Sequence, residues 1–333
     1  MVVLDISSLT FETHTTGLSL LNSAKCYRTT GSTSTSKQGL VLLIAHGTGY
    51  HKEHWEPTIE HLFVLDSQHP SRTPRIRECW AIDAQNHGEA ALLNEQVIRE
   101  RPETCLFWSL ILRAPLPRKQ PSLLHVQSLT IISTRSILTT TFFPLPVLQT
   151  QNIFHSLILI EPAIVPGPAF LDFSRHTPLL QTMTRLMAKR KDTWASKEEA
   201  RAWLAEKMPW GMWDARVLDR YVEYGLGQQS EGAVTLRCAR RTESLAYERG
   251  LRQSLPALWQ LNFHRPVIPI HVLWGDIDDL FSREMKDGLE DPEQGRVFTS
   301  VRRVEDVGHM ASTVEFVTRR RSNFAYLDGT DLS

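Results

Sequence analysis

The stretch Gly39–Trp55, GLVLLIAHGTGYHKEHW, carries the clearest structural signal in the chain. Its first part, Val41–Ala45, is an unbroken apolar run rich in Val, Ile and Leu, which is typical of a strand buried on both faces of a parallel sheet. The run ends at His46-Gly47-Thr48-Gly49, where two glycines permit a tight turn and leave backbone N–H groups uncovered by side chains. We therefore expect a buried strand followed at once by a turn that can present N–H donors to a ligand.

The composition bounds the class of protein. The chain has 333 residues, of which 41% are hydrophobic, so it can bury a large core as one domain with an insertion or as two domains. The formal net charge of +0 provides no overall field for nucleic acid or an anionic membrane. Two short groups of arginines fit a solvent-exposed face better than a phosphate-binding site. They are Arg237 with Arg240 and Arg241, and Arg319 to Arg321.

The cysteines and the chain ends carry no redox or targeting signal. The four cysteines form no C-x-x-C pair, so we expect neither a metal site nor a disulfide framework; they are Cys26, Cys79, Cys105 and Cys238. The first residues, MVVLDISSLTF, lack the basic start of a signal peptide, and no apolar run reaches the roughly 18 residues of a membrane span. The last three residues do not form an S-K-L peroxisomal signal. We expect a cytoplasmic protein.

Strand and helix patterns alternate along most of the chain. Val2–Ile6 and Ser23–Arg28 are compatible with an antiparallel edge hairpin, and the apolar residues of His54–Leu65 have helical spacing. Further apolar runs that predict strands are Ile76–Ile82, His155–Ile160, Pro269–Trp274 and Ser300–Val304. This alternation predicts an α/β fold with a mostly parallel sheet flanked by helices.

A helical lid is predicted between two parts of the sheet, at residues 167–262. Thr177 with Pro178 marks a helix start, Ser196–Glu199 forms a capping box, and a helix that opens at Asp214 is expected to end at Gly225. Aromatic and sulfur side chains in this segment could line an acyl pocket, although packing between helices explains each of them better; they are Trp194, Trp203, Met208, Trp210, Met212 and Trp213.

One segment breaks the pattern. No glycine occurs from Glu89 to Pro166, and no acidic residue lies between Glu103 and Glu161. We predict that residues 101–150 are irregular. The chain then divides into a first core part at 1–166, which contains this anomalous segment, the lid at 167–262, a second core part at 263–318 and a loose tail at 319–333.

Residues that could perform acyl transfer follow the predicted strands. His309 lies in a Gly-His turn after the last strand, where a loop can place an imidazole over the carboxyl edge of the sheet as a general base. Two positions compete for the carboxylate that would orient it. Asp276 and Asp278 follow one strand, whereas Glu161 follows an earlier strand, where burial of an unpaired carboxylate would be costly.

These motifs together resemble the α/β-hydrolase superfamily. They are His46-Gly-Thr-Gly49, Asp83…Asn86-His87-Gly88, Leu159-Ile160-Glu161-Pro162, Trp274-Gly275-Asp276 and Gly308-His309-Met310. More narrowly, they are similar to a fungal branch that includes the AK-toxin biosynthesis hydrolases and the mycophenolic-acid-pathway acyl-CoA thioesterase. The resemblance covers about residues 40–100 and 152–312.

The resemblance implies roles for individual residues. Glu161 would be the acid, with Glu in place of the Asp of that branch, and His309 the base. Backbone N–H groups of Gly47, Thr48 and Gly49 would bind the oxyanion, and Asp276 remains the alternative acid. The implied mechanism passes through an acyl-serine and uses no metal and no organic cofactor.

The nucleophile motif departs from the family pattern. Relatives carry G-H-S-x-G-G on a strained turn about two dozen residues before the acid, and a segment without glycine cannot contain it. Ser133 and Ser136 lie at about this distance, but their neighbours Thr134, Arg135 and Ile137 are poor substitutes for glycine. A frame slip or a retained intron in the gene model would also produce a segment of this composition between intact motifs.

Three functions are compatible with these residues. The first is an esterase or thioesterase that cleaves a small apolar acyl substrate, with impaired activity because the nucleophile motif is missing. The second is a non-catalytic ligand-binding or scaffold protein that kept the fold. The third, an aspartate-nucleophile enzyme, is disfavoured because no acidic residue lies between Glu103 and Glu161.

Overall fold

The structure is a computed structural model that describes residues 2–15, 18–30, 39–69, 75–101, 155–166, 181–182, 184–229, 232–245, 257–258, 261 and 269–309, and the backbone of 129–134. The strands in these residues are β1 (Leu4–Thr15), β2 (Leu18–Thr29), β3 (Leu40–Ala45), β4 (Ile76–Ile82), β5 (Leu129–Thr134), β6 (Ser156–Ile160), β7 (Thr193–Trp194), β8 (Leu226–Gln228), β9 (Val234–Leu236), β10 (Ile270–Gly275) and β11 (Ser300–Val304). The helices that lie wholly within these residues include α1 (Glu56–Gln68), α2 (Gly88–Leu93), α3 (Glu95–Glu100), α4 (Lys197–Ala205), α5 (Ala215–Gly225) and α6 (Arg283–Glu290). Short 3₁₀ turns span Lys52–Trp55, Trp210–Met212 and Pro292–Gln294.

Eight of the described strands form one sheet in the order β1-β2-β4-β3-β5-β6-β10-β11. Neighbouring strands from β4 to β11 are parallel, whereas β1 and β2 form an antiparallel hairpin at one edge. The predicted α/β fold and the edge hairpin are therefore confirmed. Because parallel strands share a direction, the loops after β3, β6, β10 and β11 leave the same edge of the sheet.

The central strand β3 separates two cores. All six of its residues are buried. Val41, Leu43 and Ala45 belong to one cluster, which also contains Trp274, and Leu40, Leu42 and Ile44 belong to the other, which α1 covers with Ile59, Leu62 and Phe63. Since successive side chains of a strand alternate between faces, only a continuous apolar run can fill both cores. Each buried Val, Leu or Ile side chain of this strand contributes about 1.5–3 kcal/mol to stability.

The prediction that residues 101–150 are irregular is wrong for six of them. Leu129–Thr134 forms β5, which pairs with β3 on one side and β6 on the other. The run Leu129-Thr-Ile-Ile132 is rich in β-branched residues, which favour a strand, and two neighbouring strands supply its hydrogen bonds. Residues 102–128 and 135–150 lie outside the described part of the chain.

The described part of the predicted lid contains helices and also a small sheet. α4 begins at the predicted capping box, where the Ser196 hydroxyl accepts a hydrogen bond from the Glu199 N–H, and α5 ends at Gly225 as predicted. β7, β9 and β8 form a three-stranded antiparallel sheet that the sequence analysis did not predict. The Thr177-Pro178 helix start lies outside the described residues. The domain boundaries remain a prediction.

Candidate active site

Two of the sequence-predicted site residues, Glu161 and His309, are in direct contact. Glu161 directly follows β6, is 1% exposed and has a φ of 49°. Its N–H donates to the Leu273 carbonyl at 2.8 Å, and its Oε1 accepts a hydrogen bond from the Gly275 N–H. Its Oε2 lies 3.0 Å from Nδ1 of His309. One carboxylate oxygen is therefore fixed by backbone, and the other orients the imidazole.

This contact determines the tautomer of His309. A carboxylate oxygen only accepts hydrogen bonds, so Nδ1 carries the proton and the neutral ring keeps its lone pair on Nε2. This is the tautomer that a general base requires. The ring is mostly buried, and it meets the Phe281 ring edge-to-face at a centroid distance of 5.0 Å.

The aspartates after β10 hold the loop that carries His309. Asp279 Oδ1 accepts a hydrogen bond from the His309 N–H at 2.8 Å, and Asp276 Oδ1 accepts one from the Val307 N–H at 3.3 Å. Asp278 pairs with Arg283 and Lys286, each at 3.1 Å. Of the two candidate acids, Glu161 contacts the imidazole, whereas the Asp276 carboxylate accepts a hydrogen bond from the Val307 N–H.

Two glycines permit this close arrangement. A Cβ on Gly275 would collide with the Val307 carbonyl, and a Cβ on Gly308 would collide with the Asp279 carboxylate. Both glycines therefore allow the β10 and β11 loops to pack directly against each other. The sequence contains these residues as Trp274-Gly275-Asp276 and Gly308-His309, but their mutual contact depends on the fold.

The predicted oxyanion turn is tied to the loop after β4. His46 Nδ1 lies 2.7 Å from the Gly47 carbonyl, and its Nε2 accepts a hydrogen bond from the Ala84 N–H at 3.1 Å. The Gly49 N–H donates a hydrogen bond to Nε2 of His87 at 2.9 Å. Because this N–H is already used, we correct the prediction that Gly49 is an oxyanion donor. Within the described residues, the Thr48 N–H donates no hydrogen bond.

A buried ion cluster supports the same two loops. Lys52 Nζ lies 2.7 Å from Asp83 Oδ2 and 3.1 Å from both Glu53 and Glu89. Asp83 also accepts hydrogen bonds from the N–H groups of Lys52 and Glu89. Gly88, with a φ of 53°, leaves no room for a Cβ, which would lie 2.5 Å from Asp83 Oδ2. Sequence analysis noted the Asp83…His87-Gly88 motif but not this role.

Burial keeps the two histidines of these loops neutral. The pKa of His87 is lowered to about 3, mainly by desolvation, with His51 and Arg190 as smaller causes. Desolvation also lowers the pKa of His46 well below its ordinary value, with His87 as a further cause. Both rings can therefore accept hydrogen bonds from backbone N–H groups at neutral pH.

The two candidate nucleophiles differ in their placement. Ser133 lies within β5, paired with Ala45 of β3 and Leu159 of β6, so its backbone belongs to a strand and not to a strand-to-helix turn. Ser136 lies outside the described residues.

The lid tryptophans pack against one another, and Trp213 packs still more closely against Tyr50, His54 and Tyr221. Ring centroids are 5.8 Å apart for Trp194 and Trp203, 6.3 Å for Trp203 and Trp210, and 6.4 Å for Trp210 and Trp213. Met208 and Met212 are exposed. The ring contacts support the packing interpretation for the four tryptophans, whereas the exposure of Met208 and Met212 does not support it for those two residues.

Thiol and metal chemistry find no support in the described part of the chain. Cys26, Cys79 and Cys238 are buried, and burial raises the pKa of each thiol, which disfavours the nucleophilic thiolate. Cys105 and Arg319 to Arg321 lie outside the described residues. No group of three or more His, Cys, Asp or Glu side chains within those residues is arranged to hold a metal ion. The described helices include none that is long and apolar enough to cross a membrane.

Solved structures with a similar fold include hydrolases of several kinds. A peroxisomal alpha-beta-hydrolase from Saccharomyces cerevisiae has a TM-score of 0.72 at 16% identity and covers 96% of this chain and 91% of its own. The thioesterase domain from the curacin biosynthetic pathway has a TM-score of 0.58 at 14% identity, with coverages of 93% and 96%. An esterase from M. tuberculosis has a TM-score of 0.51 at 14% identity, with coverages of 92% and 87%. At these identities the similarity shows the fold alone.

Sequence comparison gives the family directly. No curated protein sequence matches the chain significantly. The family model described as "Alpha/beta hydrolase family" matches residues 41–317, which include the central strand, Glu161 and His309. Because this match spans most of the chain, the protein belongs to the alpha/beta hydrolase family.

Proposed function

We propose that this protein hydrolyses ester or thioester bonds in a small apolar acyl substrate through an acyl-serine intermediate. The observation that carries the proposal is the 3.0 Å contact between His309 Nδ1 and Glu161 Oε2 at the carboxyl edge of the sheet. His309 acts as general base, Glu161 orients it, and the Thr48 N–H stabilises the oxyanion. The mechanism needs no metal and no organic cofactor.

The proposed reaction has two steps. Nε2 of His309 takes the proton of a serine hydroxyl as the serine Oγ attacks the acyl carbon, and Glu161 stabilises the imidazolium that forms. The same proton passes to the departing alkoxide or thiolate as the carbon–oxygen or carbon–sulfur bond breaks. Water activated by His309 then attacks the acyl-serine, which releases the acid and restores the serine.

Ser136 is the proposed nucleophile. It follows β5, the strand between β3 and β6, and therefore matches the position of the family nucleophile in the strand order. Thr134 and Leu138, two residues before and after Ser136, stand where the family motif has glycine, so we expect turnover well below that of an enzyme with the glycine-flanked turn.

An apolar acyl group is supported by the surroundings of the base. Phe281 packs against His309 and against the core cluster that contains Trp274, so apolar surface lies directly beside the base. We extend the proposal to secondary metabolism of the fungal kind, on the motifs that resemble the toxin-biosynthesis branch. A cytoplasmic location remains part of this proposal.

Hydrolysis of p-nitrophenyl esters with acyl chains of two to ten carbons, and of the matching acyl thioesters, tests the function. We expect His309→Ala to abolish turnover and Glu161→Gln to reduce kcat by about 10³-fold or more, since a neutral partner no longer stabilises the imidazolium. His271→Gln is the control, because His271 is also a buried histidine but lies 2.8 Å from the Ser300 hydroxyl between β10 and β11. Unchanged turnover in His309→Ala would rule out the proposed mechanism.

A non-catalytic ligand-binding protein is the second candidate. The observation that favours it is the absence of glycine from Glu89 to Pro166, which removes the family nucleophile motif. This function predicts saturable binding of apolar acyl ligands without turnover, and equal ligand affinity in the wild type and His309→Ala. Binding measured by tryptophan fluorescence, with product assayed in the same sample, distinguishes it from the enzyme.

A further inference from the structure

The turn that supplies the proposed oxyanion donor is held by a histidine 38 residues away in sequence. The Gly49 N–H donates to Nε2 of His87 at 2.9 Å, and His87 is 1% exposed. The proposed mechanism assigns no role to this side chain. Its contact nevertheless fixes the peptide group that directly follows Thr48.

A neighbouring amide fixes the tautomer of His87. Nδ1 of His87 lies 2.6 Å from Oδ1 of Asn86, an atom that only accepts hydrogen bonds. Nδ1 therefore carries the proton, and Nε2 keeps the lone pair that the Gly49 N–H requires. Because the ring is neutral at neutral pH, this acceptor is present throughout the range in which an esterase would act.

Two consecutive peptide groups of the turn are fixed by different partners. The Gly47 carbonyl accepts from the Tyr50 N–H at 3.2 Å and lies 2.7 Å from His46 Nδ1. In a planar trans peptide the N–H points opposite to the carbonyl, so these contacts set the direction of the Thr48 N–H. His87 sets the next peptide through the Gly49 N–H.

The lid closes the turn from the other side. A Cβ built on Gly49, whose φ is 82°, would lie 2.5 Å from Oε1 of Glu243, so the carboxylate packs directly on this glycine. Glu243 is buried and forms an ion pair with Arg190. The Gly49 peptide thus lies between His87 of the core and Glu243 of the lid.

We propose that His87 is a positioning residue that holds the oxyanion turn, so that the Thr48 N–H is the donor presented to the substrate and the Gly49 N–H is not. The effect of His87 on catalysis rests on the proposed function, whereas the hydrogen bond by which His87 positions the turn does not. A loss of this hydrogen bond releases the Thr48–Gly49 peptide to rotate about its glycine.

Amide hydrogen exchange at Gly49 tests whether His87 holds the turn, and it does not require the protein to be an active enzyme. In His87→Leu we expect the Gly49 amide to exchange at least about tenfold faster than in the wild type, the factor that corresponds to one net hydrogen bond. His87→Gln, whose side-chain oxygen can take the place of Nε2, should restore most of the protection. His271→Leu, which removes an equally buried histidine elsewhere, should leave Gly49 unchanged.

A measurement on the unmodified protein covers the case in which His87→Leu does not fold. Nitrogen-15 spectra of histidine-labelled protein should show His87 Nε2 unprotonated at pH 7, with a hydrogen-bonded Gly49 amide. A protonated Nε2 would overturn the proposal. So would unchanged Gly49 exchange in a folded His87→Leu variant.

Ester hydrolysis separates this inference from the proposed function. If the wild type turns over, His87→Leu should lower kcat by about tenfold or more with little change in KM, and His87→Gln should recover it. Fast Gly49 exchange with unchanged kcat would overturn the positioning role. A wild type without turnover, combined with fast Gly49 exchange in His87→Leu, would refute the enzyme but support the hold on the turn.

Discussion

Replacement of Lys52 by methionine is the perturbation that the buried ion cluster predicts most sharply. The Lys52 side chain is fully buried and lies 2.7 Å from Asp83 Oδ2, with Glu53 and Glu89 at 3.1 Å. Burial opposes the charge of this ammonium, but the attraction of Asp83 and Glu53 outweighs it and raises the pKa of Lys52. The methionine keeps the volume and removes the charge.

The size of the effect follows from what remains around Asp83. Removal of one partner from a buried ion pair costs about 3–5 kcal/mol, because the other charge stays buried without compensation. Asp83 would keep the N–H groups of Lys52 and Glu89 as donors, so we expect the lower end, about 3 kcal/mol at pH 7.

The loss should depend on pH in a defined direction. Burial raises the pKa of Asp83 and the Lys52 ammonium opposes this rise, so the variant should have a still higher folded-state pKa. A raised carboxyl pKa means that the folded state binds more protons than the unfolded state, and stability then falls as pH rises through that pKa. The deficit of Lys52→Met should therefore be larger at pH 8 than at pH 5.

Urea denaturation, monitored by tryptophan fluorescence at pH 5, 7 and 8, measures the free energy of unfolding of the wild type and of Lys52→Met. Lys191→Met is the control, because Lys191 pairs with Glu199 at 3.0 Å on the exposed lid surface and should contribute less than about 1 kcal/mol. The double variant Lys52→Met with Asp83→Asn should recover part of the loss. A deficit for Lys52→Met below about 1 kcal/mol, or an equal deficit at pH 5 and pH 8, would refute the reasoning.

Two further predictions concern His87 and Gly275, the glycine that packs against the loop before His309. The folded-state pKa of His87, about 3, lies below its ordinary value of 6.5, so the unfolded state binds the extra proton between these values. The free energy of unfolding should then fall by up to about 1.4 kcal/mol per pH unit on acidification below pH 6.5. If acidification lowers the urea midpoint of the wild type no more than that of His87→Gln, this prediction is wrong. Gly275→Ala places a Cβ against the Val307 carbonyl and should cost about 1–3 kcal/mol by urea denaturation. Gly227→Ala is its control, since that Cβ would be 3.5 Å from its nearest neighbour, and equal costs in the two variants would disprove the collision.

The parallel strands were predictable because burial on both faces leaves a simple sequence pattern. β3, β6 and β10 are short apolar runs, and each ends where polar or glycine-rich loops begin. β5 was missed because the anomalous composition around it obscured a six-residue run, and because its place in the sheet depends on pairing with β3 and β6. β7, β8 and β9 have two or three residues each, too few to show any period.

The site was predictable in its residue types but not in its contacts. Glu161 and Asp276 both follow parallel strands at the same edge, so sequence position alone could not choose between them. We favour Glu161 because of its contacts with Gly275 and His309, which join residues more than 110 positions apart and therefore depend on the fold. For the same reason, the capture of the Gly49 N–H by His87 had no sequence signal.

Labelling with a fluorophosphonate probe, followed by peptide mapping, tests the central claim that the Glu161–His309 pair activates a serine after β5. We predict a single labelled serine, Ser136, with labelling abolished by His309→Ala, reduced by Glu161→Gln and unaffected by His271→Gln. A wild-type protein that remains unlabelled, or that is labelled at another serine independently of His309, would contradict the account.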